Sequence, residues 1–341
     1  MRRIVIGGGG IAGLECLRAL RALAGDAPRI TLVTDRVWTL DRQRPVVEAL
    51  GLDRTPRQDV VAVATAQHAD LHLSRLAIVR EGSVVLGNGM ELPYDDLVVA
   101  TGARLRQALP GATTFRGMED VAAIRVIRRQ LLAREIHSVA FAVPSESTWP
   151  LPLFNLALAI GVEAAAAGLA DARLTIVTPG EAPPASGGGD ALAQLLDARR
   201  IVVRTGARPR QLRDGQLLLS DGHAVPAERV IALGEARGCP PAGLASDRDG
   251  FLPVDTGGSV RGWSDVFAAG DVTAHSPKHG ALAVQQADAV AETIAARLGV
   301  TIAPAPDRPR GRWLRPTGDA ARSRADLRLR PRGVLTANAA R

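Results

Sequence analysis

Two cysteines, Cys16 and Cys239, are all that the 341 residues contain, and they lie far apart in the chain. That scarcity excludes a disulfide framework, a dithiol motif and the paired spacing of a metal site, and it fits a reducing compartment. Aromatic side chains make up 3% of the chain against 46% for hydrophobic residues as a whole, so a core has to be built from Ala, Val, Leu and Ile. These are the residues of buried parallel strands covered by helices, which points to the α/β class. No apolar run reaches the roughly 20 residues needed to cross a bilayer. The chain reads as strand from Arg3, which leaves no room for a signal peptide. A soluble, cytoplasmic protein without a transmembrane segment is expected. Lysine is scarcer still: Lys278 is the only one, and every other basic side chain is arginine, a bias of composition rather than an adaptation to nucleic acid. The formal charge of +7 resides in residues 304–341, where ten arginines face three aspartates. No nucleic-acid partner is therefore expected. This Arg- and Pro-rich tail has no periodicity and no continuous apolar face, so it is predicted to be disordered, with peripheral membrane contact left open.

A chain of 341 residues is long for one domain and comfortable for two. Arg3 to Ile6 reads as a strand, Gly7-Gly8-Gly9-Gly10 as a turn, and the residues to about Ala24 as a helix with Glu15, Arg18 and Arg21 on one exposed face. Ile30 to Val33 forms a second strand. Gly8-x-Gly10-x-x-Gly13 thus follows a strand and opens a helix, the context in which this pattern binds a dinucleotide. The glycines allow a tight turn and close approach to a pyrophosphate, and the helix start, Ile11 and Ala12 included, offers N–H groups and the positive dipole end. An acid at the end of the second strand usually holds the ribose. Thr34 stands at that place and Asp35 one residue later, so Asp35 either serves this role or is a solvated turn residue.

Val84 to Leu86, a Gly87-Asn88-Gly89 turn, Met90 to Pro93 and the strand Leu97 to Ala100 form a pattern that returns later. Gly82, Gly89, Pro93 and Leu97 match Gly215, Gly222, Pro226 and Val230 at constant spacing, as duplication of a domain would produce. Between the copies, Val139 to Val143, Leu153 to Ala167 and Leu174 to Val177 read as a second strand, helix and strand. Its first turn, Pro144-Ser145-Glu146-Ser147-Thr148-Trp149-Pro150, has no glycine to admit a phosphate. Val266 to Ala269 and Pro277 to Leu298 return to strand and helix, with Ser276 as N-cap and Pro277 at the first helical position.

Three segments carry a resemblance: Gly8-Gly9-Gly10-Ile11-Ala12-Gly13, then Tyr94-Asp95-Asp96-Leu97-Val98-Val99-Ala100-Thr101-Gly102-Ala103, then Asp265-Val266-Phe267-Ala268-Ala269-Gly270-Asp271. In this order they resemble the pyridine nucleotide-disulfide oxidoreductase superfamily, in its branch of type II NADH dehydrogenases and sulfide:quinone oxidoreductases, over about residues 1 to 300. The resemblance implies two Rossmann-like dinucleotide-binding domains, an FAD domain (1–105 and 250–303) interrupted by an NAD(P)-binding-like domain (106–249) with a degenerate glycine motif. It implies that Gly270 and Asp271 hold the ribitol chain of FAD and that Ala100, Thr101 and Gly102 lie against the cofactor. Ser276-Pro277-Lys278-His279-Gly280-Ala281-Leu282-Ala283 resembles the Lys-Gln-Gly-Gly-Leu-Ala run of the sulfide:quinone-like branch. There Lys278, Gly280 and Ala281 would face the flavin and favour negative charge on the reduced ring, with His279 as a polar first-turn residue. Arg44-Pro45 is similar to a flavin-side Tyr-Arg-Pro element, with Gln43 in the aromatic's place.

The same resemblance makes what is missing informative. Disulfide reductases of the superfamily carry a Cys-x-x-x-x-Cys pair, and sulfide oxidation uses cysteines above the flavin. Cys16 and Cys239 supply neither. Trp149-Pro150-Leu151-Pro152 is bulky where a backbone ought to approach NAD(P)H, and this apolar loop either covers the flavin, forms a slot for a quinone-like ring, or is structural. The expected activity is that of an FAD-dependent oxidoreductase. Two electrons would pass from a reduced donor, NAD(P)H first, through FAD to a quinone or another diffusible acceptor. The alternatives are a sulfide:quinone-type enzyme lacking the usual cysteines and a catalytically degenerate flavin-binding accessory protein. No catalytic side chain, metal ligand or oligomeric state is assigned.

Overall fold

The computed structural model describes residues 1–39, 44–51, 58–146, 148–181, 189–302, 328–329 and 335–336. Strand β1 (Arg3–Gly7), helix α1 (Ile11–Ala24) and strand β2 (Arg29–Thr34) open the chain, and β1 pairs with β2 in parallel, Gly7 opposite Val33. Alternation along β1 separates two cores: Ile4 and Ile6 pack with Leu14, Leu17 and Leu20 of α1, whereas Val5 packs on the other face with Val33 and Leu97. A ribbon of β3 (Trp38–Thr39) and β4 (Gln58–Asp59) brackets the short helix α2 (Arg44–Ala49). Helix α3 (Val60–Ala66) follows, capped by Asp59 Oδ1, which accepts from the N–H groups of Val61 (2.8 Å) and Ala62 (3.1 Å). Edge strand β5 (Asp70–Leu73), an antiparallel meander of β6 (Leu76–Arg80), β7 (Ser83–Leu86) and β8 (Glu91–Pro93), and strand β9 (Asp96–Val99) come next.

From β10 (Ala103–Arg106) the chain enters a second unit, in which the parallel strands β11 (Thr113–Phe115), β12 (Ser138–Ala142), β13 (Arg173–Val177) and β14 (Ile201–Arg204) are connected by helices α4 (Val121–Leu132), α5 (Leu151–Ala166) and α6 (Gly189–Ala198). Another meander, β15 (Pro209–Arg213), β16 (Gln216–Leu219) and β17 (Ala224–Pro226), leads to β18 (Arg229–Leu233), which inserts between β11 and β12. Strand β19 (Glu235–Gly238) then returns antiparallel to β10, forming the ribbon that joins the two units. Strand β20 (Val266–Ala268) and helix α7 (Gly280–Arg297) complete the first unit, whose sheet order is β20-β9-β1-β2-β5.

The architecture is the α/β fold expected, two Rossmann-like units with one inserted into the other. The repeat is three-dimensional as well: the turn glycines Gly82 and Gly215 have φ of +67° and +70°, and Gly89 and Gly222 have +86° and +83°. Such values are open to glycine at little cost.

Four features differ from the sequence reading. Helix α7 does not start at Ser276-Pro277. His279 is the N-cap, its Nδ1 accepting from Leu282 N–H (3.2 Å), and Ser276 and Pro277 form a bend that leads into a bridge between Lys278 and Thr148 of the second unit. The face of Glu15, Arg18 and Arg21 is not exposed. Glu15 is buried and paired with Arg18 (2.7 Å), and Arg21 is wrapped by the carbonyls of Gly25, Pro28, Gln67 and His68, because the segment after α3 covers that side of α1. Helices α2, α3, α4 and α6 and strands β3, β4, β5, β6, β10, β11, β14, β15 and β19 add to the elements read from sequence. Finally, Val46, Ala49 and Leu50 around α2 share a core with α4 and α5 of the other unit, reinforced by Arg125 donating to Glu48 O (2.5 Å). Residues 304–341, predicted to be disordered, lie outside the described residues apart from the antiparallel pair β21 (Arg328–Leu329) and β22 (Leu335–Thr336). Among the described residues no helix is long and apolar enough to cross a membrane.

Candidate functional site

The C-terminal edge of the first sheet gathers the three motif segments. Gly8 has φ +124°, and a Cβ there would stand 2.1 Å from Ala100 O; at Gly13 it would stand 1.8 Å from Gly8 O. These two glycines let the backbone fold tightly against the β9 turn, which is tied to β1 by Ala100 N–H donating to Gly7 O (2.7 Å). Gly10 is different. A Cβ there would meet nothing within 4 Å, and as N-cap of α1 it has extended backbone and no side-chain cap. A glycine that no protein atom requires, at an uncapped helix start, leaves room and N–H groups for a pyrophosphate.

Gly270 closes the cradle from the other side. With φ +80°, its missing Cβ would lie 2.7 Å from Ala12 Cβ and 3.7 Å from Ala283 Cβ, so the first turns of α1 and α7 converge on it. Asp271 is half-buried on the same turn, and Gly280 and Ala281 form the start of α7. Two positive helix ends at one sheet edge favour an anionic ligand. The glycine cradle, the open Gly10 position and the converging helix starts therefore fit a dinucleotide such as FAD.

The other expected residues fall as follows. Thr34 ends β2 but turns inward: its Oγ1 accepts from Arg36 N–H (3.1 Å) and would lie 2.7 Å from a Cβ at Gly9. Asp35 is exposed, 4.0 Å from Arg36. Thr101 Oγ1 donates to Cys239 O (2.7 Å), and Cys239 N–H donates to Gly102 O (3.3 Å), so the crossover turn is latched to the end of β19. Cys16 is buried within α1, which pushes its thiol pKa strongly up, helped by the nearby Asp288 carboxylate. Lys278 is buried, and its ammonium donates to the carbonyls of Thr273 and His275 and lies 3.9 Å from the Phe251 ring centroid. The backbone of Arg44 opens α2; its side chain, like Gln43, lies outside the described residues.

The first turn of the second unit reaches this site. Trp149 lies against His279, ring centroids 4.8 Å apart, and Thr148 bridges to Lys278. Helix α5 begins at Leu151 with Pro150 as its N-cap and no side-chain cap, and Leu151 and Leu153 are buried. Phe251, Thr273 and Gln286, all in contact with the motif residues, escaped the sequence reading. The only local signal was a polar Gln286 on an Ala- and Val-rich helix.

Comparison with known proteins agrees with this geometry. The model of the pyridine nucleotide-disulphide oxidoreductase family matches residues 2–287. The chain is 30% identical over 295 residues to the ferredoxin--NAD(+) reductase component of the anthranilate 1,2-dioxygenase system of Burkholderia cepacia, covering 80% of this chain and 68% of that one. Over 313 residues it is 27% identical to an NADH dehydrogenase-like protein of Mycobacterium tuberculosis, covering 80% and 73%. Its fold is shared with the sulfide:quinone oxidoreductase of Aquifex aeolicus, with a TM-score of 0.77, 21% identity, and coverage of 88% of this chain and 77% of that one. By its matching family model, its two nested parallel sheets and its glycine cradle, the chain belongs to the pyridine nucleotide-disulphide oxidoreductase family and is an FAD-dependent oxidoreductase.

Proposed function

We propose that the chain transfers two electrons from a reduced nicotinamide nucleotide to a diffusible acceptor, a quinone or a ferredoxin. When bound, FAD supplies the redox chemistry. In this reading residues 1–105 and 250–303 bind FAD and residues 106–249 receive the donor. Gly8, Gly10, Ile11, Ala12 and Gly13 hold the pyrophosphate, Asp271 the ribitol, and the turn at Ala100, Thr101 and Gly102 borders the ring. Asp35, rather than the inward-turned Thr34, is the carboxylate free to move toward the ribose.

The observation that carries the assignment is the convergence of α1 and α7 on Gly270, beside the open position at Gly10. The family and both curated relatives favour a nicotinamide donor. Against a tight site stands the start of α5, where Pro150 and Pro152 replace the flexible backbone that a second pyrophosphate needs. Weak nicotinamide binding is the outcome that satisfies both. The Trp149 and His279 rings give the acceptor an aromatic wall next to the start of α7.

The test is anaerobic. The purified protein is examined for flavin absorbance and then given NADH, NADPH or sulfide, followed by a soluble quinone or a [2Fe–2S] ferredoxin. Flavin bleached by a nicotinamide with a high half-saturating concentration, and recovered by one of the acceptors, supports the proposal. Flavin that sulfide alone reduces, or that no donor reduces, overturns it. The latter result leaves the accessory-protein alternative standing.

A further inference from the structure

The turn Gly270–Thr273 joins β20 to the loop before α7, and one side chain of α7 spans it. Gln286 Oε1 accepts from Gly270 N–H (2.8 Å), and Gln286 Nε2 donates to Thr273 Oγ1 (3.1 Å). That hydroxyl donates in turn to Gly270 O (2.9 Å), which also receives Thr273 N–H (3.0 Å). The ring of hydrogen bonds closes around the two residues between its ends, Asp271 and Val272. Thr273 has no exposed surface, and Lys278 braces it from the far side through the Thr273 carbonyl.

An amide is the one short side-chain group that both accepts and donates through its two ends in a fixed plane, as this ring requires. Closed networks of buried hydrogen bonds hold their members more firmly than isolated pairs do. Gly270 has no slack either, since its Cα packs against Ala12.

We propose that Gln286, acting through Gly270 and Thr273, is a positioning residue that orients the Asp271 carboxylate toward FAD. The proposal rests on the reading of Asp271 as the ribitol ligand. Lys278 shares the work by bracing Thr273, which gives the single lysine of the chain a task inside the protein.

The experiment uses the full-length holoprotein and compares wild type with Gln286→Met, Gln286→Glu, Asp271→Asn and the double variant Gln286→Met/Asp271→Asn. The readouts are the FAD dissociation constant and the visible circular dichroism of the bound flavin. Methionine keeps the length and helix preference of glutamine but loses both hydrogen bonds, so Gln286→Met is expected to weaken FAD binding about tenfold and to change the visible dichroism. Gln286→Glu keeps the acceptor for Gly270 N–H and should recover binding to within about threefold of wild type. In the double variant the two losses should not multiply, because the orienting contact has nothing left to orient. Losses that multiply, with an unchanged dichroism band, mean a structural role only and overturn the proposal. An Asp271→Asn protein that binds FAD like wild type overturns the ribitol reading, a separate failure. Should Gln286→Met not fold, the same cycle with Gln286→Ala decides, with coupling of the same sign required.

Discussion

Replacing Gly8 and Gly10 by alanine, one at a time, separates the turn's architecture from its ligand. At Gly8 the backbone has φ +124° and the new methyl would sit 2.1 Å from Ala100 O, a backbone atom held by the β9 turn. The conformational strain and the forced backbone shift together cost about 3 kcal/mol or more, a fall in Tm of about 4 °C or more for a protein of this size. At Gly10 the backbone is already in a region open to alanine (φ −84°, ψ −172°), and the methyl meets no protein atom within 4 Å. The apoprotein should lose less than about 1 kcal/mol, the usual scale of a poorer N-cap. The methyl does enter the space assigned to the pyrophosphate. Losing one charge-assisted hydrogen bond there costs about 2 kcal/mol, or about thirtyfold in FAD affinity. Thermal unfolding of the apoproteins and FAD titration of each give the two numbers. Gly10→Ala that binds FAD as tightly as wild type, or Gly8→Ala that keeps full stability, would refute the reasoning.

Two further outcomes follow from ion pairs at the base of the first sheet. Asp96 has no exposed surface and receives Arg2 Nε (2.5 Å) and Arg297 (2.8 Å), so it fastens the end of α7 to β9; Asp96→Ala should cost about 3 kcal/mol in urea unfolding, moderated by the partial exposure of both arginines. An unchanged midpoint would show that the clasp is idle. The neighbouring Asp95 carboxylate is held at about 2 by the Arg3 guanidinium and the Arg3 N–H, below its unfolded value. Its contribution is therefore complete above about pH 4 and lost as the pH falls through about 2, small because the pair is exposed. Asp95→Asn should flatten the acid limb of the stability curve in that window, and a curve parallel to wild type would count against it.

The alternation in β1, the glycine turn, α1 and β2 were legible from sequence because each depends on neighbours within a turn or two. A tight strand-to-helix turn needs backbone angles that glycine adopts most readily, and period-two burial follows from the pleat itself. The doubled meander was legible for the same reason, since Gly82, Gly89, Gly215 and Gly222 mark left-handed turns wherever they occur. Other features depended on residues distant in the chain. Ser276-Pro277 satisfies the local rule for a helix start, yet His279 caps α7, because Lys278 is bridged to Thr148 and His279 lies against Trp149 of the other unit. Glu15 looked solvated and is buried, Lys278, which the resemblance turns toward the flavin, is directed to two carbonyls and a ring, and α2 belongs by sequence to one unit while packing on the other. The local chain thus determined which segments turn, extend or coil and where a dinucleotide cradle begins. Only the tertiary structure decided which charges are buried, which helix end completes the cradle, and which side chain spans the Gly270–Thr273 turn, because burial and partnership are set by packing between segments that sequence spacing does not relate.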